Sequence, residues 1–302
     1  MDRLADDELR RWLHEDAPHG DLTTRSLRIA AQPGRLSFAA RGAMRVAAIE
    51  EAARVFELCG AEARVLAPSG GDAEAGQPLL QAWGDAGALL LAWKVAQTAV
   101  EAASGIASEA ARIVRSLREA GFSQPLACTR KNWPGGRALA ARGVWAGGAV
   151  MHRLGLSETL LVFPEHRLFL SPDLAALAAA RQAQPEKKLV VEVGNDEDAF
   201  TVARLGADVL QLERFSPTAL AALRERLHRA GLHPLIAPAG GVTAANALDY
   251  ARAGADLLVS SAPYFAAPAD VKVVFEAGGA LGEQIALRGG PHAGAPSAAR
   301  PP

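Results

Sequence analysis

The stretch "KLVVEVGNDEDAFTVARLGADVLQLE", residues 188–213, decides the fold. Two short apolar runs, 188–193 and 207–213, flank a helix-like segment at 196–205. Neither run alternates apolar with polar residues as a half-buried strand does. Each is close to continuous, which is how strands of a parallel sheet covered on both faces read. The same rhythm extends outward in both directions. Further strand-like runs stand at 125–129 ("PLACT"), 159–163 ("TLLVF"), 233–239 ("HPLIAPA") and 255–262 ("ADLLVSSA"). Helix-like stretches at 137–149, 172–184, 217–230 and 243–253 lie between them. Six strands at this spacing suit a closed or nearly closed α/β barrel better than a short open sheet.

The first third of the chain has a different pattern. Residues 1–15 form an amphipathic helix with Leu4, Leu9, Trp12 and Leu13 on its apolar side. "EDAPHGDLTT" (15–24) is rich in turn residues, and Asp16 and Asp21 serve there as local hydrogen-bond acceptors. Short strands and one helix at 48–59 alternate over 35–83, an α+β pattern. A long helical segment starts at 86; Ser104-Gly105 marks a break in it or a close helix contact, and Gly121 caps its end.

The 302 residues are half apolar and carry a formal charge of −1, so a cationic site has to be local. Nothing in this balance points to nucleic acid or a membrane surface. No apolar run approaches the roughly 20 residues that span a bilayer, and the N-terminus has no apolar signal region. A cytoplasmic location is expected. Cys59 and Cys128 form neither a disulfide framework nor a metal spacing. Cys128 reads as a small buried residue at a strand end.

In such a barrel the chemistry sits at the C-terminal ends of the strands. The polar residues there form a series: Thr129, Arg130 and Lys131; His152 and Arg153; Glu165 and His166; Glu192; Glu213 and Arg214; Gly240 and Gly241; Ser260 and Ser261. A carboxylate within an apolar strand is costly unless paired, which marks Glu192 and Glu213 as functional candidates. Gly240-Gly241, before a helix opening at Thr243, is either a tight turn or a phosphate cradle. His166 is either structural or a ligand contact. Arg137 follows the turn "WPGG" as the first residue of the next helix and reads as a surface or dimer contact. Cations with a glycine cradle and two carboxylates fit a substrate with phosphates, a second anionic group and Mg²⁺.

The motifs "EDAPHGDLTT", "SGIAS", "TRKNWPGGR", "GGAVMHRLGL", "VVEVG", "LQLE", "AGGV" and "DLLVSSAPY" resemble the type II phosphoribosyltransferases, typified by quinolinate phosphoribosyltransferase. The resemblance runs from about residue 8 to about 275. "WKVAQ", "HRLGLSETLLVFPEH", "LQLERFSP" and "SSAPYF" are similar to the branch of pyrophosphorylases found beside molybdate-transport genes. The resemblance implies an N-terminal α/β sandwich domain (1–107) and an incomplete α/β barrel (108–275), while the Gly/Ala/Pro-rich composition of the tail (276–302) reads as disordered. The resemblance also implies a homodimer whose site is shared between subunits, with Lys94 reaching the partner's site. Thr129, Arg130, Lys131, His152, Arg153 and His166 would then meet the anionic substrate and pyrophosphate. Glu192 and Glu213 would meet ribose hydroxyls and Mg²⁺, and Gly240, Gly241, Ser260 and Ser261 the 5′-phosphate. Lys131, Glu192 and Glu213 would be the catalytic groups. The implied reaction joins a ring nitrogen to C1 of phosphoribosyl pyrophosphate (PRPP) and releases pyrophosphate.

The quinolinate enzymes carry lysine where this chain has Phe163, arginine at Lys94, asparagine at Met151 and Asp-Asn at Glu213-Arg214. The transferase class carries over; the acceptor stays open. Two other readings remain: a Schiff-base lyase using Lys131, and a non-catalytic protein binding an anion or nucleotide in molybdate handling.

Overall fold

The computed structural model describes residues 3–171 and 174–278. In its first part, α1 (Asp6–Asp16) and α2 (Leu22–Leu27) precede β1 (Pro33–Ala40), β2 (Met44–Arg45), α3 (Ile49–Leu58), β3 (Glu62–Val65), β4 (Asp72–Ala73) and β5 (Pro78–Asp85). Asp21 caps α2 by accepting from the Thr23 and Thr24 amides at 2.9 and 3.2 Å, so the turn-rich segment is a helix start. Along β1, Leu36, Phe38 and Ala40 alternate inward and are buried. They meet α3, where Phe56 packs edge-on against Phe38 at 5.9 Å.

The helix α4 (Ala86–Glu119) covers this sheet and continues into the second domain. Ser104-Gly105 does not break it. The Ser104 hydroxyl accepts from the Ala47 amide at 2.9 Å, and a Cβ at Gly105 would collide with the Ala267 carbonyl oxygen. The close contact is therefore what these small residues permit.

The second part runs β6 (Leu126–Cys128), α5 (Arg137–Ala146), β7 (Val150–Met151), β8 (Leu160–Val162), α6 (Pro164–Arg167), α7 (Ala175–Ala183), β9 (Leu189–Val193), α8 (Asp196–Arg204), β10 (Val209–Glu213), α9 (Pro217–Arg229), β11 (Leu235–Ala239), α10 (Ala247–Arg252), β12 (Leu258–Ser260), a 3₁₀ turn (Ala262–Phe265) and β13 (Val271–Ala277). Parallel pairing gives β8-β9-β10-β11 and β12-β6-β7. The Asp256 amide donates to the Ile236 carbonyl at 2.8 Å and links the start of β12 to β11. The strand series is thus β7-β6-β12-β11-β10-β9-β8, and among the described residues no ladder joins β7 to β8. That opening makes the barrel incomplete.

Two departures from the sequence reading stand out. Six strands are expected in the barrel and seven are present among the described residues, because β7, with only two residues, is too short to read as a strand in the sequence. The other is β13, which leaves the barrel and pairs antiparallel with β1, Gly34 opposite Ala277 through Ala40 opposite Val271. It completes the first sheet, order β13-β1-β5-β3. Glu276 and Ala277 therefore belong to a strand, not to the expected tail; residues from 279 onward lie outside the described residues.

Candidate active site

A cleft of about 740 Å³ lies at the C-terminal ends of the barrel strands. Into it the fold brings Thr129, Arg130, Lys131, His152, Arg153, Glu192, Glu213, Gly240, Gly241 and Ser261. These residues come from six strand ends spread over more than a hundred positions of sequence. The parallel register that aligns the strands is what places them on one rim.

The cationic side starts at β6. The Thr129 amide donates to the Ser260 carbonyl at 2.9 Å, and the Tyr264 hydroxyl donates to the Thr129 carbonyl at 2.6 Å. Thr129 is thus fixed, and its own hydroxyl accepts from the Lys131 amide at 3.3 Å. Arg130 and Lys131 leave this anchored turn exposed to the cleft. Beyond β7, the His152 amide donates to the Cys128 carbonyl at 2.8 Å and carries Arg153 inward, where it is buried. Burial lowers the His152 pKa and the neighbouring Arg153 charge lowers it further, so the imidazole is neutral at pH 7. Burial also lowers the Arg153 pKa, and Arg130 adds repulsion. Arg130, Lys131 and Arg153 have no ion-pair partner among the described residues. An anion arriving here would relieve the repulsion among them.

The carboxylate side comes from β9 and β10. Glu192 and Gln211 stand opposite each other in the ladder, and the Gln211 amide donates to Glu192 Oε2 at 2.6 Å. Burial raises the Glu192 pKa; the Gln211 hydrogen bond opposes this, and Glu213 and Glu165 add to it. Glu213 packs under Gly240, where a Cβ would sit 2.5 Å from its Oε1. Gly240 and Gly241 have φ of 75° and 104°, left-handed values that favour glycine. The pair therefore makes room for Glu213 and turns the chain. The helix expected at Thr243 starts later, at Ala247. Residues 243–246 form a turn instead, closed by Thr243 N–H to Asn246 Oδ1 at 2.8 Å and Asn246 Nδ2 to the Gly241 carbonyl at 3.0 Å. Any phosphate cradle here is a glycine loop, not a helix N-terminus.

Three expected site residues do not line the cleft. Ser260 is buried, and its hydroxyl donates to the Val242 carbonyl at 2.6 Å while accepting from the Ala262 amide at 3.0 Å. His166 accepts the Phe163 amide hydrogen on Nδ1 at 2.9 Å, which takes the structural alternative of the two. Lys94 stands on α4 with its ammonium 4.0 Å from the centre of the Trp93 ring and donates to Gln97 at 3.2 Å. Arg137 begins α5 and is outside the cleft too. Cys128 is fully buried, and burial pushes its thiol up to about 12, so it is not a reactive thiolate.

Gln211, Phe163, Arg214 and Thr243 also line the cleft. Gln211 had a sequence signal: it is the one polar residue inside the apolar run 207–212 after Asp208, in register with Glu192. Tyr264, which holds the Thr129 carbonyl, had none, because that contact joins residues 135 positions apart.

The Quinolinate phosphoribosyl transferase C-terminal domain matches residues 106–274, and the N-terminal domain of the same family matches 21–104. The ModD protein of Rhodobacter capsulatus, a pyrophosphorylase by name, is 49% identical over 257 residues, covering 83% of this chain and 97% of that protein. The nicotinate-nucleotide pyrophosphorylase (carboxylating) of Mycobacterium leprae is 33% identical over 265 residues, covering 85% and 92%. In fold, the chain superposes on NadC from Streptococcus pyogenes with a TM-score of 0.82 at 24% identity, covering 92% of this chain and 99% of that one. Both halves of the family's architecture are present in order, over nearly the full length of these relatives. The chain belongs to the quinolinate phosphoribosyltransferase family.

Proposed function

We infer that the cleft transfers the phosphoribosyl group of PRPP to the nitrogen of an acidic heterocycle and releases pyrophosphate. The observation that carries this is the meeting, in one cleft, of three unpaired cations with two strand-borne carboxylates and a Gly-Gly loop. Arg130 and Lys131, exposed at the mouth of the cleft, suit pyrophosphate. As the ring nitrogen's lone pair forms the bond to C1, the C1–O bond breaks and its electrons leave with pyrophosphate, where these cations stabilise the growing charge. Glu192 and Glu213 suit the ribose hydroxyls and the positive charge that develops on the sugar. Holding both reactants in line supplies much of the remaining acceleration.

The donor set fits Mg²⁺ carried by the substrate. Among the described residues no group of three His, Cys, Asp or Glu side chains could hold a metal by itself. Two carboxylates, with phosphate oxygens completing the shell, match the ordinary habit of this ion. Glu192 and Glu213 would hold it, and it would neutralise phosphate charge.

The Schiff-base reading finds little support, since Lys131 stands exposed beside Arg130 and not in an apolar pocket. Binding of a bare oxyanion is opposed by two carboxylates in the same cleft. A role in molybdate handling would appear as molybdate binding without PRPP. The test of the transfer reading is pyrophosphate release from PRPP and Mg²⁺ across a set of nitrogen-heterocycle acids. Release that Lys131→Ala abolishes is the expected result; full activity in that variant would remove Lys131 from its role.

A further inference from the structure

We propose that Phe163 is the stacking wall for the acceptor, and that the acceptor is an aromatic heterocycle carrying one carboxylate, with Arg153 as that carboxylate's partner. The inference rests on the transfer reading and names its second substrate class.

Phe163 follows β8 directly and lines the cleft. It packs on a separate apolar cluster inside the barrel mouth, where Leu161, Ala239 and Val259 form the floor of the same cleft. Its orientation is fixed from both backbone and ring. The Phe163 amide donates to His166, and the His166 imidazole stacks on the Phe163 ring with centroids 5.8 Å apart and planes 16° from parallel. The Arg153 guanidinium lies 5.9 Å from the ring centre. A rigid aromatic ring, an apolar floor and a desolvated guanidinium together recognise a flat ring with a carboxylate at its edge. The ring supplies stacking, and Arg153 supplies paired hydrogen bonds to a carboxylate.

The charges decide the number of carboxylates. Of the cations in the cleft, Arg214 faces Glu213 at 3.4 Å. Arg130 and Lys131, at the exposed mouth, serve pyrophosphate in the transfer reading. That leaves the buried Arg153 for the acceptor. A second carboxylate on the acceptor would meet the Phe163 ring or the apolar floor, and an unpaired buried charge is costly. With a single retained carboxylate, the step ends at the N–C1 bond, and no carbon dioxide is lost.

The test compares pyridine-3-carboxylate with pyridine-2,3-dicarboxylate as acceptors, reading pyrophosphate and carbon dioxide release with PRPP and Mg²⁺. Calorimetry of PRPP binding runs alongside. The wild type should favour the monocarboxylate by about tenfold or more in kcat/KM, the range a lost polar partner produces, and release no carbon dioxide. Phe163→Leu should raise the KM for that acid severalfold, up to about tenfold, as loss of a stacking partner does, with the KM for PRPP unchanged. Phe163→Trp keeps a ring, should keep the low KM, and controls for folding. Phe163→Lys should move the preference toward the dicarboxylate. Preference of the wild type for the dicarboxylate, or an acceptor KM indifferent to Phe163→Leu, overturns the inference and leaves phosphoribosyl transfer standing. PRPP binding without turnover of either acid does the same. Failure to bind PRPP overturns the transfer reading and this inference with it.

Discussion

Burial holds the Glu192 carboxyl above the usual carboxylate range, and the Gln211 amide only partly offsets this. The folded protein therefore keeps that proton more tightly than the unfolded chain does. Between the ordinary and the raised pKa, stability falls as pH rises, and above the raised value the whole cost is present. Glu192→Gln removes the desolvated charge and still offers Gln211 an oxygen acceptor. The variant should melt higher than the wild type at pH 8, by on the order of 1–2 °C because the carboxyl is only partly buried, with the gain vanishing as pH falls through the Glu192 pKa. Turnover should fall by about 10²-fold or more, as when a preorganised electrostatic partner is lost. Melting curves at several pH values, beside pyrophosphate release, check both halves. A lower melting point at pH 8 would mean that the charge is better satisfied than its burial implies. At this scale the sequence identified most of the rim, because polar residues at the ends of apolar strands have few places to go. It failed where a side chain turns to backbone groups instead of the cleft. Ser260 and His166 occupy the expected positions, but the His166 ring accepts from the Phe163 amide three residues earlier, and the Ser260 hydroxyl donates to the Val242 carbonyl 18 residues earlier. Which way a hydroxyl or imidazole faces is set by loop geometry that a pattern of residue types does not encode.

Helix α5 meets α4 almost backbone to backbone. A Cβ at Gly143 would lie 2.6 Å from the Ala103 carbonyl oxygen and 2.8 Å from Ile106 Cβ; one at Gly147 would lie 2.6 Å from both the Ala107 carbonyl oxygen and Ala110 Cβ. These glycines are four residues apart and so share one face of the helix. They set how closely the second domain's first helix sits on the long helix that spans both domains, and thus where the loop carrying Arg130 and Lys131 ends. Gly143→Ala should cost about 1–3 kcal/mol, the usual range for overpacking, and lower the melting point by on the order of 3–10 °C. Unchanged stability would show that the helices can separate without loss. Tyr264→Phe tests the other tether of that loop. Removing the hydroxyl frees the Thr129 carbonyl, and the KM for PRPP should rise by roughly 5–10-fold, the value of one hydrogen bond, with the melting point little changed. A change in kcat alone would place Tyr264 in a different role. The strands and helices were legible because their apolar periodicity is local. β7 and β13 were not: the first is too short to have a period, and the second is defined by a partner some 240 residues earlier in the chain, β1.

β13 also ties the two domains into one molecule, since the chain crosses from the first sheet to the barrel on α4 and returns on this strand. The cleft and Lys94 stand on different domains of the chain, and Lys94 is not among the residues lining its own chain's cleft. Its ammonium lies exposed over the Trp93 ring. A cation held in this way is available to a neighbouring copy, and we propose the homodimer with shared sites that the family resemblance implies. The consequence can be counted. Lys94→Ala and Glu192→Gln would each be inactive as pure dimers. In a mixed dimer, one site combines both altered residues and the other combines neither. If subunits exchange at random, half of the dimers are mixed and each has one intact site. Mixing the two variants should then restore about a quarter of wild-type activity, as a two-fold symmetric dimer with shared sites demands. Recovery should require time or mild denaturant for subunits to exchange, and a dimer linked covalently before mixing should show none. Inactive pure variants that stay inactive after proven exchange would mean that Lys94 acts within its own subunit. Full activity of Lys94→Ala alone would remove it from the reaction.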